Sequence, residues 1–299
     1  MYRIGVDIGG TQLRAAVFDE GFSIVERVQF PNDRNKSAEK NIDGIVDFIN
    51  SFLHEADARE STTGIGIGCP GPLDFTAGKV LNPPNLYGWN GFELVSCVQQ
   101  KTGLKAVLNN DANCAGLAEA RLGAGKGIES VFYITVSTGI GGAYVYRGGL
   151  VNGAHSSAAE VYNLIVCEDS YSHQDANAGS LNEVCGGDAL SRQAQEAFGQ
   201  PVTVKELYND LYFREKDPRA LKIIDRWFNN LAKGIANIAC IVDPDIFIMG
   251  GSISLKSAGF FETLTEKAKV YLIHPGFFRL EKAQLGEDAG LIGAALLAP

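Results

Sequence analysis

The residues Ile4-Gly5-Val6-Asp7-Ile8-Gly9-Gly10-Thr11 drive an apolar strand straight into a double-glycine turn flanked by a carboxylate and a hydroxyl. Paired glycines lack Cβ, so the backbone can bend tightly and bring N–H groups onto an anion. Asp7 and Thr11 are of the types that hold a metal ion and orient phosphate oxygens. In isolation, Asp-x-Gly-Gly is also ordinary hairpin-turn material. The design recurs, however. Val131–Val136 is a second apolar strand, Ser137-Thr138-Gly139-Ile140-Gly141-Gly142 a second hydroxyl-and-glycine turn, and a further strand runs to Tyr146. A third turn, Met249-Gly250-Gly251-Ser252, follows the apolar run Ile246-Phe247-Ile248, and its bare backbone is suited to lie against a flat base or ribose. Three such turns predict an internal duplication and one nucleotide clamped between two lobes. None ends in the Gly-Lys-Ser/Thr of a Walker loop, and none has the spaced glycines of a dinucleotide-binding βαβ unit.

A chain of 299 residues is long enough for two domains with substantial cores. Its formal net charge of −9, without any basic run, argues against nucleic-acid binding. No uncharged stretch reaches the roughly 18 to 20 residues of a membrane span. The chain enters a core strand by Ile4, with no signal peptide before it, so a cytoplasmic location is expected. Six scattered cysteines without a Cys-x-x-Cys pair read as small core residues in a reducing compartment. His155, Cys167, His173 and Cys185 are zinc-compatible types, but structural zinc sites show tighter Cys or His pairs.

Asp111 follows the short strand Ala106-Val107-Leu108 and opens a predicted helix, Ala112 to Leu122. A carboxylate at a helix N-terminus is stabilised as the anion and suits general-base work in phosphoryl transfer. A plain N-cap role accounts for it as well.

Taken in order, these segments resemble the ROK sugar kinases, within the sugar kinase, heat-shock ATPase and actin superfamily. The resemblance spans nearly the whole chain and includes Asp7-Ile8-Gly9-Gly10-Thr11, Gly68-Cys69-Pro70-Gly71-Pro72, Leu81 to Trp89, Asn110-Asp111-Ala112-Asn113, Ser137 to Gly142 and Gly250-Gly251-Ser252. It implies an α/β, duplicated actin-like ATPase (ribonuclease H-like) fold of two lobes with an interlobe active-site cleft. Residues 1–116 plus the C-terminal helix 287–299 would form the smaller lobe and 117–286 the larger. It also implies an ATP- and Mg²⁺-dependent kinase acting on the C6 hydroxyl of a hexose: glucose first, with N-acetylmannosamine or a β-glucoside as alternatives.

Carried over by position, Asp111 is the general base. Asp7 (with Mg²⁺), Gly9, Gly10, Thr11, Gln12, Thr138, Gly139, Gly250 and Gly251 take ATP, while Gly71, Asn85, Asn110, Glu160 and Glu183 line the sugar. The family's zinc motif, Gly-Glu-x-Gly-His followed by a Cys-x-Cys-Gly-x-x-Gly-Cys-Leu-Glu run, is broken here. Asn163 replaces the histidine, Ser180 stands where a cysteine would fall, and Asn182 competes with Glu183 for the place of the second sugar glutamate. A zinc site is therefore not expected, and altered sugar selectivity is. The resemblance also implies a homodimer or higher homo-oligomer, with no nucleic-acid or membrane partner. Two rivals are a family transcriptional regulator, disfavoured by the acidic charge and the early first strand, and a catalytically silent sugar or nucleotide sensor, disfavoured by retention of Asp7, Asn110 and Asp111.

Overall fold

The computed structural model describes every residue except Ala56, Gln174 and Asp175. Its chain divides into two compact units, one of residues 1–121, 152–157 and 285–299, the other of residues 122–151 and 158–284.

The first unit contains β1 (Tyr2–Ile8), β2 (Gln12–Phe18), β3 (Ile24–Pro31), α1 (Ala38–Leu53), α2 (Ala58–Ser61), β4 (Thr62–Cys69), a small hairpin of β5 (Leu73–Asp74) and β6 (Lys79–Val80), α3 (Leu94–Thr102), β7 (Ala106–Asn110) and α4 (Asp111–Arg121), and it closes with the C-terminal helix α10 (Ala289–Leu297). Among the described residues its main sheet runs β3-β2-β1-β4-β7, with β1 to β3 antiparallel and β4 and β7 parallel to β1. Strand alternation sends Ile4, Val6 and Ile8 into a core with Ile42, Ile45, Ile49 and Phe52 of α1 and with Trp89. On the opposite face α10 lies against the backbone itself. A Cβ on Gly5 would strike the Leu291 carbonyl, one on Gly66 the Ala294 carbonyl, and one on Gly293 the Cys114 carbonyl of α4. The glycines of β1 and β4 are thus what let α10 approach the sheet this closely, as Gly293 of α10 lets it approach α4.

The second unit contains β8 (Ser130–Val136), β9 (Ile140–Tyr146), β10 (Gly149–Leu150), α5 (Leu181–Cys185), α6 (Gly187–Phe198), α7 (Pro218–Val242), β11 (Ile246–Gly250), α8 (Ser252–Lys256), α9 (Phe260–Lys269) and β12 (Leu280–Lys282). Its sheet runs β10-β9-β8-β11-β12, again three antiparallel strands followed by two parallel ones. The duplication read from the glycine turns is therefore a duplication of sheet topology. The core joins Phe132, Ile134 and Val136 to Trp227 and Phe228 of α7 and to Phe260. Asp217 caps α7, accepting from the N–H groups of Arg219 and Ala220, with Pro218 pre-set in the first turn.

Helix starts move by a few residues from the sequence reading. The helix expected from Gly91 begins at Leu94, and the one expected over Val204–Tyr212 is a π-helix over Glu206–Arg214, closed by Glu215 N–H donating to the Asp210 carbonyl at 2.9 Å.

Candidate active site

In the first unit the Gly9-Gly10 turn closes by Gly9 N–H donating to the Gln12 carbonyl at 2.8 Å, and Thr11 and Gln12 are exposed at its tip. A Cβ on Gly10 would come within 3.0 Å of the Asn85 carbonyl, so the turn abuts the loop carrying Asn85, itself exposed. Asp7, at the end of β1, is largely buried and ion-paired to Arg14 directly across the hairpin.

Asp111 begins α4. Its Oδ1 and the Asn110 Oδ1 both accept from the Ala112 N–H, at 2.8 and 2.9 Å, so this pair does cap the helix. Burial, reinforced by the negative charge of Asp7, pushes the Asp111 carboxyl up to about 6, against the pull of those backbone N–H groups. A Cβ on Gly71 would lie 3.5 Å from Asn110 Nδ2, and one on Gly68 would lie 3.8 Å from the Asp111 Cα, so the Gly68–Pro72 loop walls this corner. Behind it, Asn109 Oδ1 accepts from Asn113 Nδ2 at 2.8 Å, and Asn109 Nδ2 donates to Asn152 Oδ1 at 3.1 Å. Buried Cys69 and Cys114 face the same carboxylates, and burial holds both thiols neutral.

In the second unit the Thr138-Gly139 turn is built around Asn182. Its Oδ1 accepts the Ile140 N–H at 3.1 Å and fills the space where a Gly139 Cβ would sit, while its Nδ2 donates to Glu183 Oε1 at 3.1 Å. Thr138 remains exposed, and its carbonyl accepts the Asp188 N–H at 3.1 Å. The Ser137 and Ser252 hydroxyls, 3.1 Å apart, join this turn to the third. The third turn, Gly250-Gly251, packs closely within its own unit. The Cβ sides of its glycines are taken by the protein: one on Gly250 would strike the Tyr133 hydroxyl, and one on Gly251, at φ +92°, the Val136 backbone.

Glu160 and Asn163 stand at the two ends of the short 3₁₀ segment Val161–Asn163, and both line an apolar cavity of about 340 Å³ with Phe132, Leu164, Ile238 and Ile241. Asn163 Oδ1 accepts the Asn177 N–H at 2.7 Å. Ala159, just before Glu160, is held at φ +62°, a left-handed conformation that suits glycine.

The chain matches the ROK family over residues 3–299. It belongs to the ROK family. It is 31% identical over 308 residues to a glucokinase of Thermotoga maritima, a match covering 98% of this chain and 95% of the relative. A beta-glucoside kinase of Klebsiella pneumoniae is 30% identical over 290 residues, covering 96% and 93%. Among solved structures, a ROK hexokinase from Thermus thermophilus superposes with a TM-score of 0.91 at 34% identity, covering 100% of this chain and 98% of that one. A ROK family glucokinase from Streptomyces griseus, in complex with glucose and AMPPNP, gives 0.77 at 31% identity, covering 100% and 99%. The fold is the actin-like ATPase fold of this family.

Against the ROK zinc motif, Cys167 and Cys185 are used within the protein. Cys185 donates to the Trp227 carbonyl, and Cys167 accepts from Asn230 Nδ2 at 3.8 Å. Among the described residues, no three His, Cys, Asp or Glu side chains stand close enough to hold an ion. Cys240 is exposed on α7, unlike the core position expected for it. No described helix is long and apolar enough to cross a membrane. Sequence reasoning passed over Arg14 and the turn-holding role of Asn182. Arg14 carries a signal only once the β1–β2 register is known, and Asn182 none that spacing reveals.

Proposed function

We propose that this ROK protein is an ATP-dependent sugar kinase that transfers the γ-phosphoryl group to the C6 hydroxyl of a hexose, glucose foremost, with Asp111 as general base. The observation carrying this reading is the placement of Asp111. It is a buried-side carboxylate with its pKa near the operating range, flanked by Asn110 and the Gly68–Pro72 loop, in a chain whose relatives are glucokinases. As the C6 oxygen forms its bond to phosphorus, the bond from phosphorus to the ADP oxygen breaks and the hydroxyl proton passes to the Asp111 carboxylate. Asn110, Glu160, Glu183, Gly71 and Asn85 are assigned to the sugar, with amide and carboxylate groups matched to neutral hydroxyls.

The nucleotide is assigned to Asp7, Gly9, Gly10, Thr11, Gln12, Thr138, Gly139, Gly250 and Gly251. The exposed Thr11 and Thr138 hydroxyls and the turn N–H groups suit phosphate oxygens. Asp7 fits a hydrated Mg²⁺, since Arg14 engages only Oδ2 and the described residues give Oδ1 no hydrogen bond. Bound there with ATP, the ion would neutralise phosphate charge. Such a kinase belongs in the ATP-rich cytoplasm, and a homodimer or higher homo-oligomer is the assembly proposed, to be read by light scattering.

Asn163 and the adjoining apolar cavity support selectivity broader than glucose alone, including sugars with a larger group at the anomeric or C2 side. A coupled ADP-release assay with glucose, mannose, N-acetylglucosamine, N-acetylmannosamine and cellobiose tests both points. Turnover that is lost in Asp111→Asn is expected. Binding of sugar without turnover of any of them would instead favour the sensor reading, and turnover of glucose alone would refute the broadened selectivity.

A further inference from the structure

Arg14 stands opposite Asp7 in the β1–β2 register. Its Nε and Nη2 both donate to Asp7 Oδ2, the first at 3.1 Å, while its Nη1 donates to the Glu287 carbonyl at 2.9 Å. One guanidinium therefore joins the end of the first strand to the turn that leads into α10. That turn has a second anchor, Glu119 Oε1 accepting the Leu285 N–H at 2.7 Å. Beyond it, a Cβ on Gly290 would lie 3.5 Å from the Asp7 carboxylate, so the first turn of α10 closes on the same side chain.

With the two side chains only 26% and 14% exposed the pair is mostly desolvated, so its net worth is small while removal of one partner strands a charge. Its geometry, in contrast, is specific. Both donors converge on one oxygen of Asp7, and the third direction of the fork is spent on a backbone acceptor that no side-chain change can remove.

We propose that Arg14 is a positioning residue for nucleotide binding: it locks Asp7 in the arrangement that leaves Oδ1 for the cation-bound phosphates and ties that arrangement to the start of the C-terminal helix. This rests on the functional reading above, in which Asp7 serves the nucleotide. Arg14 itself touches neither substrate nor metal. Without it, Asp7 would rotate among several orientations and present an uncompensated charge toward phosphate.

The test uses the full chain as wild type, Arg14→Gln and Arg14→Lys, with calorimetric titration of Mg-AMPPNP, the thermal midpoint of the unligated protein, and steady-state kinetics on glucose. Arg14→Gln is expected to weaken Mg-AMPPNP binding about tenfold and to raise the KM for Mg-ATP by a similar factor, with kcat within about threefold, and to lower the unligated midpoint because Asp7 is left charged and largely buried. Arg14→Lys is expected to recover no more than about threefold, because one ammonium cannot span both acceptors. If Arg14→Gln does not fold, Arg14→Lys carries the test alone. Unchanged Mg-AMPPNP affinity in Arg14→Gln overturns the proposal, as does full recovery in Arg14→Lys, which would leave charge without positioning. Wild-type protein that binds no Mg-AMPPNP would sink the functional reading itself, a result visible before any variant is made.

Discussion

Asp111 carries its charge where a carboxylate is poorly solvated and faces a second one. Its carboxyl sits near 6 rather than the usual 3.8, so the folded protein binds this proton more tightly than the unfolded chain does. Stability is therefore lost as pH rises from about 4 through about 6, by on the order of 2–3 kcal/mol once the group is fully ionised. General-base activity needs the ionised form and moves the opposite way. We expect kcat/KM on the transferred sugar to climb through about pH 6. We expect Asp111→Asn to lose at least about a hundredfold in kcat while melting higher than wild type at pH 8, the two melting curves converging by about pH 4. A wild-type pH profile flat through that range would remove Asp111 as the base. Ala159 is a smaller case: relieving its left-handed backbone by Ala159→Gly should stabilise by ~0.5 kcal/mol, measured as a shift in denaturant midpoint, because the relief slightly exceeds the added chain entropy. At this scale much was legible. Asp7, Asn110 and Asp111 stand out because a polar side chain at the end of an apolar strand has few structural reasons to be there. Arg14 did not, because its partner is chosen by strand register rather than by any motif.

Elements depend on contacts that sequence periodicity does not encode. The run Ala289 to Leu297 reads as a small-residue apolar helix, and so it is, but its packing is set by Gly5 and Gly66 on the sheet and by its own Gly293 against α4, positions scattered over the chain. Gly66→Val should accordingly cost ~3 kcal/mol or more in urea unfolding, since the backbone carbonyl of Ala294 occupies the required space and cannot swing aside as a side chain would. A cost below about 1 kcal/mol would mean that α10 shifts readily on the sheet. The second phosphate-turn candidate gives a matching case. Asn182→Ala should raise the KM for ATP, because it removes the acceptor that holds the Ile140 N–H, and it also takes away the amide that donates to Glu183. The sequence placed Asn182 and Glu183 in competition for one sugar-binding role; the fold gives Asn182 a turn to hold and sets its amide on Glu183.

Each unit has its own core and its own tryptophan, Trp89 in the first and Trp227 in the second, both buried. Unfolding watched separately in Trp89→Phe and Trp227→Phe variants should give two midpoints rather than one. The first unit is completed by residues 285–299, so deleting them should unfold the environment of Trp89 and spare that of Trp227. Coincident loss of both signals would mean a single cooperative molecule. What the sequence determined by itself was what short-range chemistry writes locally: three glycine turns after apolar strands, a carboxylate at a helix start, an acidic surface, and through them the duplicated α/β plan and the family. What only the tertiary structure decided was which distant residues meet: Arg14 on Asp7 and Glu287, Asn182 inside the Gly139 turn, Tyr133 and Val136 against Gly250 and Gly251, and α10 on bare glycine backbone. Those meetings follow from strand register and close packing. Both are properties of the whole folded chain, in which each side chain's neighbour is fixed by every other element at once.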